Sequence, residues 1–373
     1  MKKVLILDRD YPAEDNLYGD VFVHTRVKAY RDSVKVQVVS FFRDIADYEY
    51  EGVEVKHAPK LEDVFRIHQE FKPDCVFIHF YDRRLFAYIK EIKEPVFIWV
   101  HGYEALGWYR RLFNYTGYYL VRNFHNIAIP NLKQMIGFRK LIRFSNSNSR
   151  IQFVFVSEWM RQVAQRDSFL KIRRYSIIPN PINTGLFKYI LKDGGQRKKI
   201  LMIRSFNSKK YANDIAVKAI LLLSKRDFFK DINISIYGKG KFFKTLTEPL
   251  RSFKNIYLHE GFVPNTEIPA IHQKFGIFLC PTRQDAQGVS MCEAMSSGLV
   301  PITSKNTAIP EFVDDGETGI LTTSVAAIAE AVESLYQNES LFLKLSKGAA
   351  LSMQEQCSIE DVCRSELSLI GSI

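Results

Sequence analysis

The sequence predicts an α/β protein made of two Rossmann-like, doubly wound domains. Three observations carry this. Short β-branched and aromatic runs alternate with helical stretches along the 373 residues, the pattern of parallel sheets covered by helices on both faces. Pro179-Asn180-Pro181 interrupts the alternation near the middle, and a polar, basic stretch from Lys192 to Lys199 precedes a fresh start. The length suits two domains with real cores, and 46% hydrophobic with 25% charged residues is a globular balance. Disordered, collagen-like and disulfide-scaffold classes are excluded.

In the first half, strands are expected at Lys3–Asp8, Lys35–Ser40, Cys75–Phe80, Val96–Val100 and Gln152–Val156, with helices between them, such as Val21–Tyr30 and Arg83–Ile92. Ser157 is placed to cap a helix from Glu158 to about Gln165, its hydroxyl satisfying a free N–H. The second half repeats the alternation, with strands at Lys199–Ile203, Asn233–Tyr237, Ile256–His259, Ile277–Cys280 and Leu299–Thr303. The expected domains are residues 1–181, completed by a C-terminal helix within 355–373, and residues 182–354. Open α/β sheets bind ligands at the carboxyl ends of their strands, so a cleft between two such domains is the expected site.

Charge is unevenly placed. Lys and Arg number 52 and Asp and Glu 41, a net of +11, and residues 104–175 hold 13 cations against 3 acids, leaving +1 for the rest. A neutral protein with one basic segment points to a local anionic partner rather than to nucleic acid, for which no recognition motif is present. Within this segment Trp108, Tyr109, Arg110, Arg111, Phe113, Tyr115, Tyr118, Tyr119 and Arg122 mix aromatics with cations. Drawn as a helix, Leu132–Phe144 puts Met135, Phe138, Leu141 and Ile142 on one side. Lys133, Arg139, Lys140 and Arg143 fall on the other, with Leu132 and Ile136 among them. Cations interleaved with apolar residues suit an anionic membrane surface, expected here through residues 104–175. A solvated helical face over buried aromatics is the bland alternative.

The five cysteines, Cys75, Cys280, Cys292, Cys357 and Cys363, form no Cys-x-x-Cys pair, so buried free thiols are expected rather than zinc or disulfides. The apolar run Val4–Leu7 ends at Asp8, short of a signal peptide, and no stretch reaches 18 apolar residues. A cytoplasmic protein, peripheral at the inner face of the cell membrane, is the expectation.

The chemistry concentrates between Pro281 and Gly298. A strand ends at Cys280, a loop carries Asp285 and Gly288, and a helix follows through Val289, Ser290 and Glu293 to a stop at Gly298. Gly288 permits close approach of a ligand, and the free N–H groups after it favour a phosphate at the helix start. Glu293 lies one turn inside, where it can accept from sugar hydroxyls; taken alone it reads as a solvated helix acid. The segment resembles the signature of the retaining glycosyltransferases of family 4, which have the GT-B fold: an acid, a Gly three residues on, and a Glu eight residues on, here Asp285, Gly288 and Glu293. Glu-Ala-Met-x-x-Gly298 and Ala308–Leu321 match the family's continuation, with Asp285 standing where the family more often has Glu.

The same resemblance takes in Arg204, which follows the strand Leu201-Met202-Ile203, and Lys209 or Lys210, with Lys209 favoured, as the grip on the donor diphosphate. A guanidinium fork and an ammonium offset charge as the glycosidic bond breaks. Tyr237-Gly238-Lys239-Gly240 matches the family's turn after a central strand. Tyr18-Gly19-Asp20 resembles its N-terminal glycine loop, with one glycine where two are common. His101 of Val100-His101-Gly102 matches a strand-end His beside the transferred sugar, a place where a structural hydrogen-bonder fits equally. Ile178–Phe187 is similar to the family's hinge. The match covers nearly the whole chain and is closer in the second half.

The resemblance implies a metal-independent enzyme without a cofactor, moving a sugar with retention from a nucleotide-sugar, a UDP-sugar foremost, to a glycan or lipid-linked acceptor in surface polysaccharide synthesis. Arg204 and Lys209 would steady the departing diphosphate, Glu293 the ribose, Asp285 the donor sugar, and His101 that sugar from the other domain. A nucleotide-sugar epimerase of the same fold and a non-catalytic subunit of a membrane-associated complex are the competing readings.

Overall fold

Apolar runs such as Val4-Leu5-Ile6-Leu7 and Val76-Phe77-Ile78 bury every side chain, which a strand achieves only when helices cover both faces of its sheet. The structure is a computed structural model describing residues 1–14, 16, 19–43, 46–115 and 117–371, without the side chains of 117–120. Of the expected motifs Tyr18 lies outside the described residues, and so do the side chains of Tyr118 and Tyr119. The chain divides into two compact units, Met1–Pro181 with Ile359–Ile373, and Ile182–Ser358.

The first unit holds β1 (Lys3–Asp8), β2 (Lys35–Phe41), β3 (Tyr48–Tyr50), β4 (Val53–Ala58), β5 (Cys75–His79), β6 (Val96–Val100), β7 (Ile151–Phe155) and β8 (Tyr175–Ile177). Its helices are α1 (Val21–Tyr30), α2 (Leu61–Phe71), α3 (Phe86–Glu91), α4 (Gly117–Asn146), α5 (Glu158–Ser168) and, far along the chain, the returning Ile359–Gly371. The sheet order is β3-β4-β2-β1-β5-β6-β7-β8, parallel throughout except for the β3–β4 hairpin. Val4 pairs Val36 on one side and Cys75 on the other, so β1 lies at the point where the winding reverses. The core packs Val4, Ile6, Phe77 and Trp99 against Val362 and Ile370 of the returning helix.

The second unit holds β9 (Lys199–Ile203), β10 (Asn233–Gly238), β11 (Ile256–Glu260), β12 (Ile277–Cys280), β13 (Val300–Ser304) and β14 (Ile320–Thr322), all parallel in the order β11-β10-β9-β12-β13-β14. Its helices are α6 (Asn213–Leu223), α7 (Phe243–Thr247), α8 (Ile268–His272), α9 (Val289–Ser296), α10 (Val325–Gln337) and α11 (Glu339–Cys357), which makes Ile359–Gly371 α12. Here β9 is the reversal point, and Ile200 pairs both Ile234 and Ile277.

Several boundaries move. The second unit ends at Ser358, not 354, because α11 stays tied to it: Ile182 N–H donates to Cys357 O at 2.7 Å and the Gln287 amide to Cys357 Sγ at 3.7 Å. The expected helix Arg83–Ile92 is a 3₁₀ turn, Arg83–Leu85, capped by Asp82, followed by α3. The helix expected at Leu132–Phe144 is the last half of the much longer α4, which contains Pro130. Met135, Phe138, Leu141 and Ile142 are buried and Lys133, Lys140 and Arg143 exposed, as the periodicity requires. Ser157 caps α5 by accepting from Met160 N–H at 3.2 Å. All five cysteines are free and buried.

Candidate active site

In the second unit the site stands at the carboxyl ends of β9 and β12, where the sheet reverses. Arg204 follows β9 directly and is buried, 6% exposed. Its Nη2 donates to Cys280 O at the end of β12 (3.2 Å) and its Nη1 to Ser290 Oγ at the start of α9 (3.1 Å). Its Nε is buried without a partner. Gly238 is needed for this placement. A Cβ there would stand 2.3 Å from the Arg204 carbonyl oxygen.

The start of α9 is built by Asp285 and Gly288. Gly288 has φ of +85°, the left-handed region that glycine enters without strain. Its N–H donates to Asp285 Oδ1 at 3.1 Å, and its carbonyl accepts from Met291 and Cys292. Thr307 Oγ1 accepts the Asp285 N–H at 3.2 Å. Among the described residues the N–H groups of Val289 and Ser290 have no partner, and they lie at the positive end of the helix. Asp285 thus shapes the turn with one carboxyl oxygen. Glu293, one turn on, receives no hydrogen bond at its carboxyl among the described residues, and burial pushes it up to about 8.

Lys209 opens a 3₁₀ turn, Lys209–Tyr211, whose cap is Ser208 accepting from Lys210 N–H at 3.1 Å. Arg283 ties that turn to the loop before α9. Its N–H donates to Lys210 O (2.8 Å), its Nη1 to Lys209 O (2.7 Å), and its guanidinium meets both Asp214 oxygens at 2.8 and 2.7 Å. Sequence reasoning missed the Arg283–Asp214 pair. Asp214 stands alone in the first turn of α6, and only the folded loop shows its partner. Both Lys209 and Lys210 stay candidates for the diphosphate.

In the first unit the reversal point lies between the ends of β1 and β5. His101, just past β6, pairs its Nε2 with His79 Nδ1 at 3.0 Å. The outer nitrogens of both rings are buried and unpartnered, and burial holds both well below the usual histidine range, so the pair is neutral. Glu104 positions this turn by accepting from His101 N–H (2.6 Å) and Gly102 N–H (3.1 Å). Burial pushes Glu104 up to about 7. Gly19 lies tight against the chain, where a Cβ would come 2.3 Å from Asp10 O. The next residue, Asp20, stands near Asp8 at the end of β1, and burial raises both carboxyls far above the ordinary range. Asp20, Tyr81 and Glu104 line a cavity of about 860 Å³. The sequence reading passed over Asp8, His79 and Glu104, although an acid closing a wholly apolar strand was a visible signal for Asp8.

The structure therefore brings Arg204, Lys209, Gly238, Asp285, Gly288, Val289, Ser290 and Glu293 together in the second unit, and places Gly19 and His101 in the first.

Residues 197–338 match the family model described as glycosyl transferases group 1. The chain is 29% identical over 92 residues to an alpha-monoglucosyldiacylglycerol synthase of Acholeplasma laidlawii, covering 25% of this chain and 23% of the relative. It is 28% identical over 153 residues to a GDP-mannose-dependent alpha-(1-6)-phosphatidylinositol monomannoside mannosyltransferase of Mycolicibacterium smegmatis, covering 38% and 39%. It thus spans well under half the length of these curated relatives. Sucrose-phosphate synthase from Thermosynechococcus elongatus has the same fold over 100% of this chain and 99% of its own, with a TM-score of 0.76 at 11% identity. Anabaena HepE, solved in complex with UDP-glucose, matches over 100% of both chains with a TM-score of 0.72 at 14% identity. Residues 197–338 are thus similar to the glycosyl transferases group 1, and the whole chain has the GT-B fold of these solved structures.

Proposed function

We propose that the protein is a glycosyltransferase that moves a sugar from a nucleotide-diphosphate donor, a UDP-sugar foremost, to a hydroxyl of a lipid-linked or glycan acceptor. The observation that carries this is the junction of Arg204 with Ser290, beside the two unpartnered N–H groups of Val289 and Ser290. A diphosphate held there meets a charged fork and a helix start, and both stabilise it more as it departs with full charge. Lys209 adds an ammonium. Glu293 serves the ribose hydroxyls, and Asp285 serves the donor sugar. His101, neutral and fixed by His79, is the first unit's candidate for a sugar contact. In this reading the anomeric configuration is retained, the leaving phosphate oxygen takes the acceptor proton, and no metal ion takes part.

The acceptor is the more open part of the reading, and α4 supports a lipid. Arg122, Ile129, Leu132, Lys133, Ile136, Lys140 and Arg143 lie within about 100° of one another around this helix. Leu132 is 58% exposed, Ile129 48% and Ile136 47%. Apolar residues inserted among cations fit an anionic membrane surface, at about 1 kcal/mol per Lys or Arg. The glucosyldiacylglycerol synthase and the phosphatidylinositol monomannoside mannosyltransferase are named for lipid acceptors, which agrees. Among the described residues no helix is long and apolar enough to cross a membrane. Peripheral attachment at the cytoplasmic face and a role in surface polysaccharide assembly complete the proposal.

The test is a screen of UDP-, GDP- and ADP-sugars for binding and for transfer or slow hydrolysis, with and without a chelator. Binding of one nucleotide, lost in Arg204→Ala and indifferent to the chelator, is expected. Epimerisation of the donor alone, or no nucleotide binding at all, would overturn the reading. Flotation with anionic liposomes at low and high salt tests the surface; salt-insensitive or absent binding removes it.

A further inference from the structure

The cations around the large cavity of the first unit are of two kinds. Arg84 is paired with Asp82 at 2.8 Å, Arg43 with Asp10 at 2.5 Å, and Arg9 lies 3.9 Å from Asp82. Arg83, Lys133 and Lys140 have no acid partner among the described residues. Arg83 and Lys133 line the 860 Å³ cavity and also a second cavity of about 230 Å³, which Lys140 shares, so the two hollows meet at these unpaired charges.

The arrangement is built rather than incidental. Gln134, 8% exposed, accepts from Arg83 N–H at 3.0 Å and donates to Tyr81 O at 2.8 Å, clipping the Tyr81–Arg83 segment to α4. Gly137 lets that segment come close, since a Cβ there would stand 2.3 Å from Arg83 Cβ. On the deep side Tyr81, 1% exposed, lines the cavity with a hydroxyl that has no partner. Asp20 and Glu104 line the same cavity. One end therefore offers hydrogen-bonding groups for hydroxyls, and the other offers uncompensated positive charge. Keeping such cations near one another costs free energy unless an anion joins them.

We propose that this groove is an anion subsite that binds a phosphate ester carried by the acceptor, held by Arg83, Lys133 and Lys140 while the acceptor's hydroxyl-bearing part enters the deep cavity past Tyr81. The inference rests on the reading of the first unit as the acceptor domain, and it narrows the acceptor to a phosphorylated one. Arg83 supplies a planar fork for two phosphate oxygens, and the two lysines supply point charges from α4. Ile136, half exposed beside them, gives an alkyl chain leaving the phosphate an apolar contact.

The test uses the full chain and three soluble probes by calorimetry: dihexanoylphosphatidylglycerol below its micelle concentration, dihexanoylglycerol, and sn-glycerol 3-phosphate. Saturable binding of the phospholipid but not of dihexanoylglycerol is expected, weakened at least tenfold in R83Q/K133Q. The charge-matched control K90Q/K93Q, at exposed lysines outside the groove, keeps the parent affinity. Glycerol phosphate binding as tightly as the phospholipid assigns the subsite to a water-soluble ester; tighter phospholipid binding assigns it to a lipid headgroup. Equal binding of both dihexanoyl probes, no binding of either phosphate probe, or equal losses in the two double variants overturns the proposal. UDP titrated in parallel keeps the two questions apart, since its binding reports on the second unit alone.

Discussion

Arg204 and Ser290, 86 positions apart in the chain, are joined by a 3.1 Å hydrogen bond from the guanidinium Nη1 to the hydroxyl oxygen. The bond fixes the charged fork against the N-terminus of α9, so one anion can be met by a side chain and by backbone N–H groups together. Replacing Arg204 with Ala removes charge-assisted bonds of about 1.5–3 kcal/mol each. UDP affinity measured by titration should fall about 10- to 150-fold. Arg204→Lys should recover only part of it, because an ammonium cannot reach Ser290 and Cys280 at once.

Gly238 and Gly288 answer to different constraints, and alanine should separate them. At 288 the cost is a left-handed backbone carrying a Cβ, about 1–2 kcal/mol, with a contact to Ile309 at 3.2 Å. At 238 the added atom meets the Arg204 carbonyl oxygen at 2.3 Å, and backbone must move. Thermal melting should therefore fall further for Gly238→Ala than for Gly288→Ala, and both should weaken UDP binding.

The buried acids predict a pH dependence of stability. Glu293 is pushed up to about 8 and Glu104 to about 7, from an unfolded value of 4.5. Below about pH 4.5 both are protonated in either state and their contribution is fully present. As pH rises further the unfolded chain releases these protons first, so stability is lost progressively up to about pH 7 for Glu104 and pH 8 for Glu293. Denaturant titrations at pH 5, 6, 7 and 8 should show this decline, and Glu293→Gln, which cannot ionise, should make it shallower. An unchanged slope in that variant would refute the assignment.

Arg26 and Glu366 form an ion pair at 2.8 Å with both side chains fully buried, and Glu366 also accepts from Trp99 Nε1 and Tyr30 Oη. Glu366→Ala leaves a buried guanidinium, an indole N–H and a phenol without their acceptor. The expected loss is about 3–5 kcal/mol. For a unit of this size that lowers its melting temperature by roughly 6–20 °C, readable by calorimetry.

The second-unit site was largely legible in the sequence because its parts are local. Asp285, Gly288 and Glu293 sit within one strand–loop–helix segment, and their spacing alone sets which turn and which helix face they occupy. The first unit was harder. Short edge strands such as Tyr48–Tyr50 and Tyr175–Ile177 carry too few residues to show a period, and α4 runs through Pro130, which reads as a break. Asp8, Asp20, His79 and Glu104 come from four segments, and no spacing relates them.

The sequence by itself determined the two doubly wound halves, the break near residue 182, the glycine turn before α9 and the basic stripe of α4, since each follows from periodicity, glycine placement or charge within a short window. Only the tertiary structure decided which groups are charged and which are spoken for. Burial pushes the Glu293 carboxyl up and holds the His79–His101 pair neutral. Asp10, from another segment, pairs Arg43 and the neighbouring Asp82 pairs Arg84, while among the described residues Arg83, Lys133 and Lys140 have no acid partner. The physical reason is that ionisation and pairing depend on what surrounds a side chain in space, and those neighbours are contributed by segments far apart in the chain.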